Sequence, residues 1–133
     1  MENMNTDLLI IGAGPGGYVS AIYAAKKGLK VVLVDAKRIG GTCLNEGCIP
    51  TKALVKSAEL YQEILHSEAE GIFVENPSFD MSKIIDKKNE IKEKLVGGIE
   101  YLLDKYGVQS IKGYASFADD ELVKVVSDKT YLI

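Results

Sequence analysis

The chain of 133 residues has no Trp, a single His, three Pro and two Cys. Two Cys and the distant His66 fall short of the four ligands of a structural zinc site, so no metal is expected. Cations are not in excess: 16 Lys and Arg face 19 Asp and Glu, a formal net charge of −3, and the lysines are scattered. That pattern gives no electrostatic footprint for nucleic acid or an anionic membrane. No apolar run nears the roughly 18 residues of a membrane helix, and Met1 to Asn5 lack the basic start of a secretory signal, so a cytoplasmic location is expected. Repeats, low-complexity tracts and Pro/Ser linkers are also missing, so residues 1–133 are read as one unit. What the chain does have is 47% hydrophobic residues, enough to bury a core and to exclude intrinsic disorder.

Of the 13 Gly, eight lie in the first 47 residues, and both Cys fall in the first 48. Leu8-Leu9-Ile10-Ile11 is a continuous apolar run ending at Gly12, the pattern of a central parallel strand buried on both faces. Gly16 to Lys27 favours a helix stopped by a left-handed Gly28, and Val31 to Val34 makes a second buried strand. This is a βαβ unit of an α/β fold. Asp35 to Gly47 reads as irregular. Pro50 opens a helix to His66 with Ala53, Leu54, Ala58, Tyr61, Ile64 and Leu65 on one stripe. Asp80 or Ser82 caps a longer helix, striped by Ile84, Ile91, Leu95, Ile99, Leu102 and Tyr106 and ending at Gly107. Gly97-Gly98 inside it predicts close packing or a bend, since each glycine costs about 1 kcal/mol relative to Ala. From Val108 the chain turns β-rich, with Ala118 to Glu121 as a turn between two strands.

Gly12-Ala13-Gly14-Pro15-Gly16-Gly17 matches G-x-G-x-x-G between a strand and a helix, and each position has a physical task. Gly12 permits the tight turn, Gly14 leaves room for a pyrophosphate, and Gly17 lets helix and strand pack closely. The helix start offers unpaired N–H groups and about half a positive charge to phosphates. Asp35 lies 23 residues after Gly12, near the spacing of a carboxylate that accepts ribose hydroxyls. The glycines alone would suit any turn. With this context they point to a dinucleotide, without separating NAD from FAD.

Cys43 and Cys48 are spaced C-x4-C, which is neither a thioredoxin-like pair nor half of a zinc knuckle. An ideal helix would hold them about 7.5 Å apart along its axis, beyond the reach of a disulfide, so a bond requires the distortion that Gly47 and Pro50 supply. With Pro50 as the first helical residue, Cys48 sits just ahead of the positive helix end, where a thiolate is stabilised. Two inert buried thiols are the plainer alternative. In a cytoplasmic chain a bond here would be redox-active rather than structural. Lys52 follows one turn after Cys48 and reads either as a surface lysine or as a cation facing the same site. His66 reads as a surface residue.

Taken together, Gly40-Gly41-Thr42-Cys43-Leu44-Asn45-Glu46-Gly47-Cys48-Ile49-Pro50-Thr51-Lys52-Ala53-Leu54 resembles the redox-disulfide segment of the flavin-dependent pyridine nucleotide-disulfide oxidoreductases. Mercuric and glutathione reductases share the G-G-T-C-x-N-x-G-C core, but Ile49 to Leu54 is most similar to the dihydrolipoamide dehydrogenase branch. With the fingerprint and the long helix to Gly107, the resemblance extends over essentially the whole chain.

The resemblance implies a Rossmann-like FAD-binding domain with a βαβ start, long helices and a C-terminal β-meander, as an incomplete fragment of a larger protein. It implies FAD at the first fingerprint, with Asp35 on the adenosine ribose where the family more often has Glu, a carboxylate one methylene longer. Gly41 and Thr42 would line the flavin side, Lys52 would lie near the reactive edge of the isoalloxazine, and Ala115 would offer backbone near the adenine. Cys43 would exchange with the dithiol substrate and Cys48 would face the flavin as a thiolate. Electrons would run from dihydrolipoamide through the disulfide and FAD to NAD. The family's NAD domain and its dimer-interface domain with a His-Glu pair have no counterpart in these residues, and Tyr131-Leu132-Ile133 ends without turn or cap. Inactivity of the isolated chain is therefore expected. The implied partners are the lipoyl protein of a 2-oxo acid dehydrogenase or glycine cleavage complex, and a second copy of the parent. A stand-alone FAD- or ADP-binding module is the alternative, suggested by Met1 just ahead of the first strand.

Overall fold

The computed structural model describes residues 2–133. In chain order the elements are β1 (Glu2–Asn3), β2 (Leu8–Ile11), α1 (Pro15–Lys26), β3 (Val31–Asp35), α2 (Gly41–Asn45), α3 (Cys48–Leu65), a 3-10 turn (Ser67–Glu70), α4 (Met81–Lys105), β4 (Gln109–Lys112), β5 (Tyr114–Phe117), β6 (Val123–Val126) and β7 (Thr130–Leu132). They build two sheets, a parallel β2-β3-β4 and a second one ordered β1-β7-β6-β5. In the second, β5, β6 and β7 form the expected antiparallel meander, and β1 adds to it in parallel beside β7. The fold is α/β with a Rossmann-like start.

The organising element is β3. Its Val31, Val32, Leu33 and Val34 are all at most 1% exposed. Alternate side chains of a strand point to opposite faces, and here each face meets its own core. Val31 and Leu33 pack with Ala21 and Ala24 of α1, Leu103 of α4, and Val108. Val32 and Val34 pack with Val123 and Val125 of the meander. Helices, parallel sheet and meander are therefore three layers with β3 at the centre.

Several expectations are corrected. Among the described residues the first apolar run, β2, pairs only with β3 and stands at the edge of the parallel sheet, with Ile11 49% exposed. The central place goes to β3 because β4 takes its other side. The stretch from Asp35 to Gly47 is not wholly irregular, since it contains α2. Helix α3 starts at Cys48 rather than at Pro50, which is buried in its first turn where a missing N–H leaves no hydrogen bond unmade. The expected turn at Ala118 to Glu121 joins β5 and β6, while the first strand of the β-rich tail, β4, completes the parallel sheet before the meander begins.

Helix α4 begins at the Asp80 cap, whose carboxylate accepts from the N–H groups of Ser82 and Lys83. Of the expected stripe, Ile84, Ile91, Ile99 and Tyr106 are half-buried, but Leu95 and Leu102 are exposed, and the buried residue is Leu103 beside the stripe. The helix runs on through Gly97 and Gly98, and the close packing expected there is absent among the described residues, since a methyl at either would meet nothing within 4 Å. On α3, Ala53, Tyr61 and Ile64 are half-buried as expected, but Leu54, Ala58 and Leu65 are exposed. Tyr61 meets Phe79 edge-on at 5.4 Å between ring centroids. Among the described residues no helix is long and apolar enough to cross a membrane.

Candidate functional site

Ligands of open parallel sheets lie beyond the carboxyl ends of the strands. Ile11, Asp35 and Lys112 end β2, β3 and β4 on the same side, and a cavity of about 700 Å³ opens there. Of the residues singled out from sequence, Gly12, Asp35, Gly41, Thr42 and Ala115 line it. Gly14, Gly17 and Lys52 do not.

The glycine turn is built by close approach. A Cβ on Gly17 would collide with the carbonyl of Gly12, so helix α1 sits on the end of β2 as closely as a Cβ-less residue allows. Gly14 is the N-cap of α1 and no side chain caps that end. Among the described residues the N–H groups of Gly16 and Gly17, in the first turn of the helix, have no partner. Pro15 at the first position has no N–H to lose.

The cysteine segment is docked onto this turn. The Gly40 N–H donates to the Ala13 carbonyl at 2.8 Å. Gly41, at φ +60°, lies so near the fingerprint that a Cβ would come within 2.6 Å of the Gly14 Cα. The Asn45 amide then ties the short helix back on itself, donating to the carbonyls of Ile39 and Gly41 at 3.0 and 2.9 Å. The nucleotide-type turn and the cysteine turn therefore form one structural unit.

Cys43, in α2, and Cys48, the first residue of α3, are joined in a disulfide with their Cα atoms 4.7 Å apart. The helix break at Glu46 and Gly47 brings them together, as the distortion argument required. The reading as two separate thiols is thereby replaced. Cys48 lies within the first turn of α3 rather than ahead of it, and it is the more exposed of the two. Lys52 follows it on the exposed surface of the helix. His66 is exposed at the far end, its Nδ1 2.8 Å from the Gln62 carbonyl. Among the described residues no cluster of His, Cys, Asp or Glu could hold a metal ion.

Sequence reasoning missed the cationic rim. Lys37, Arg38 and Lys112 also line the cavity, against the carboxylates of Asp35 and Glu46. Lys37 and Arg38 were visible as a basic pair two and three residues after Asp35. Lys112 comes into place only through the parallel register that sets it opposite Asp35.

The model of the pyridine nucleotide-disulphide oxidoreductases matches residues 6–133, and the chain belongs to that family. It is 46% identical over 124 residues to a dihydrolipoyl dehydrogenase of Geobacillus stearothermophilus, covering 93% of this chain and 26% of the relative. It is 44% identical over 127 residues to that of Bacillus subtilis and 43% identical over 127 residues to that of Staphylococcus aureus, each alignment covering 96% of this chain and 27% of the relative. The chain thus spans about a quarter of the length of these curated relatives.

Proposed function

We infer that the chain is the FAD-binding, redox-disulfide part of a dihydrolipoamide dehydrogenase, with residues 1–133 as one nucleotide-binding unit. The observation that carries this reading is the disulfide turn packed directly on the glycine fingerprint through Gly40, Gly41, Ala13 and Gly14. A flavin dinucleotide fits the donor set. The open amino end of α1 suits a diphosphate, Asp35 suits the ribose, and Gly41, Thr42 and Ala115 offer backbone and a small side chain along the cavity wall. Lys52 is assigned to the reactive edge of the ring by the family resemblance.

The chain's own chemistry is thiol exchange. A thiolate of dihydrolipoamide attacks Sγ of Cys43; the Cys43–Cys48 bond breaks and its electron pair stays on Cys48. The substrate's second thiol then displaces Cys43, closing the lipoamide disulfide and leaving two reduced cysteines. Two electrons have moved from substrate to protein. The amino end of α3 stabilises the Cys48 thiolate. A bound FAD would supply the acceptor for those electrons, with NAD as their final destination. In the whole protein this activity would serve a 2-oxo acid dehydrogenase or glycine cleavage complex, as a cytoplasmic homodimer. The isolated 133 residues should not reduce NAD with dihydrolipoamide, since their only His stands exposed at the far end of α3.

The test is the visible spectrum of the purified chain with added FAD, before and after dithiothreitol. Bound flavin is expected to gain long-wavelength absorbance on reduction; Cys43→Ser, whose Cys48 thiol is free from the outset, should show it before dithiothreitol, and Cys48→Ser should not show it at all. A chain that stays colourless with FAD overturns the cofactor assignment. Loss in Cys43→Ser instead reverses the two cysteine roles.

A further inference from the structure

Asn45 lies inside the loop that the Cys43–Cys48 bond closes, and its side chain reaches out of that loop. Both N–H groups of its amide are taken, since Nδ2 donates to the Ile39 carbonyl at 3.0 Å and to the Gly41 carbonyl at 2.9 Å. Two facing carbonyls fix which way the amide points, because an amide oxygen turned toward them would meet only acceptors.

Ile39 and Gly41 flank Gly40, whose N–H donates to the Ala13 carbonyl, and Gly41 itself rests against Gly14. Asn45 therefore ties the disulfide loop to the stretch that is anchored on the fingerprint. Neither of its bonds involves a sulfur, so the tie does not depend on the disulfide. The loop is close-fitting elsewhere too: Leu44 is buried, and a Cβ on Gly47 would come within 3.2 Å of the Thr42 carbonyl.

We propose that Asn45 is a positioning residue for the thiol exchange: it keeps Cys43 and Cys48 facing each other after their bond has opened, so that the reduced pair recloses readily and the disulfide is hard to reduce. The proposal rests on the redox-disulfide reading above. In the oxidised chain the covalent bond holds the loop whether or not the amide is present. In the reduced chain only the amide, the backbone bonds and Leu44 hold it. Removing the amide thus loosens the reduced state alone, lowers the effective concentration of one thiol at the other, and favours reduction.

Equilibration of the wild-type chain and Asn45→Ala in mixtures of reduced and oxidised dithiothreitol tests it, with the free thiols counted by alkylation and mass. Dithiothreitol closes its own disulfide as Cys43–Cys48 opens, passing two electrons and two protons to the cysteines. Asn45→Ala should be about tenfold easier to reduce, the effect of losing ordinary hydrogen bonds in one state only, which is a rise of about 30 mV in potential. Asn45→Asp, which keeps the size but loses both donors, should shift in the same direction. Ser57→Ala removes a side-chain bond to the Ala53 carbonyl at 3.3 Å, on α3 outside the loop, and should stay within about twofold of wild type. A constant for Asn45→Ala within about twofold of wild type, or an equal shift in Ser57→Ala, overturns the proposal while leaving the redox disulfide standing. A bond that dithiothreitol cannot open in the folded chain overturns the redox-disulfide reading itself. The wild type alone gives a second check: after reduction the two Nδ2 protons of Asn45 should stay separately resolved and slow to exchange with water in NMR spectra, and rapid exchange there contradicts the tie.

Discussion

Strand β3 and helix α3 are both rich in aliphatic residues, and they fare differently. Every aliphatic of β3 is buried, whereas α3 buries only Pro50 and leaves Leu54, Val55, Leu60 and Leu65 exposed. The strand is hydrogen-bonded on both edges and covered on both faces, so each of its side chains meets a partner. The helix packs mainly along one line against α4, and its remaining apolar residues find nothing among the described residues. Burial here follows position in the layers, not apolar content.

The sharpest way to break that contrast is Leu33→Ala, which should lower the unfolding free energy by about 2–5 kcal/mol in a urea titration, as expected for a filled core site. A loss below about 1 kcal/mol would mean that the three layers do not close on β3. Next comes Gly97→Ala or Gly98→Ala in α4. Because the added methyl meets nothing, each should raise stability by about 0.5–1 kcal/mol in thermal unfolding. A drop would reveal a packing need that the bare helix does not display.

Leu60→Ala on α3 should change stability by no more than about 0.5 kcal/mol, since Leu60 is 52% exposed. The smallest effect concerns the start of α4. The Ser82 hydroxyl, then the N–H groups of Lys83 and Ser82, hold the Asp80 carboxyl below its ordinary range. The carboxylate form is therefore favoured in the folded chain, and its contribution is complete above the ordinary value. It is lost as pH falls through the lowered folded value. Amide exchange at Ser82 and Lys83 should quicken over that acid window, and Asp80→Asn should abolish the pH dependence.

Much of this was legible in the sequence, where the signal is local. The βαβ unit, the glycine fingerprint and the Asp80 cap are set by residues within a turn or two of each other. The distance limit on a C-x4-C bond correctly required a break near Gly47. What could not be read depends on distant partners. The run Leu8 to Ile11 looks as buried as Val31 to Val34, and only the placement of β4 decides which is central. Leu103, beside the expected stripe of α4, is its buried residue because it meets α1 and Val108, a contact with no local signature. The hold of the Ala13, Lys37 and Arg38 N–H groups on the Asp35 carboxylate was likewise invisible, because backbone N–H groups are the same at every residue but proline.

The bond between Cys43 and Cys48 spans a sequence separation of only 5. A crosslink stabilises a fold chiefly by restricting its unfolded chain, and closing so short a loop contributes about 2 kcal/mol, under half of what a 100-residue loop would give. The layers around β3 are assembled from residues that this bond does not tether. Opening it therefore frees a small stretch of chain entropy next to the cavity while the scaffold stays folded, so the disulfide can be made and broken repeatedly without the molecule having to refold.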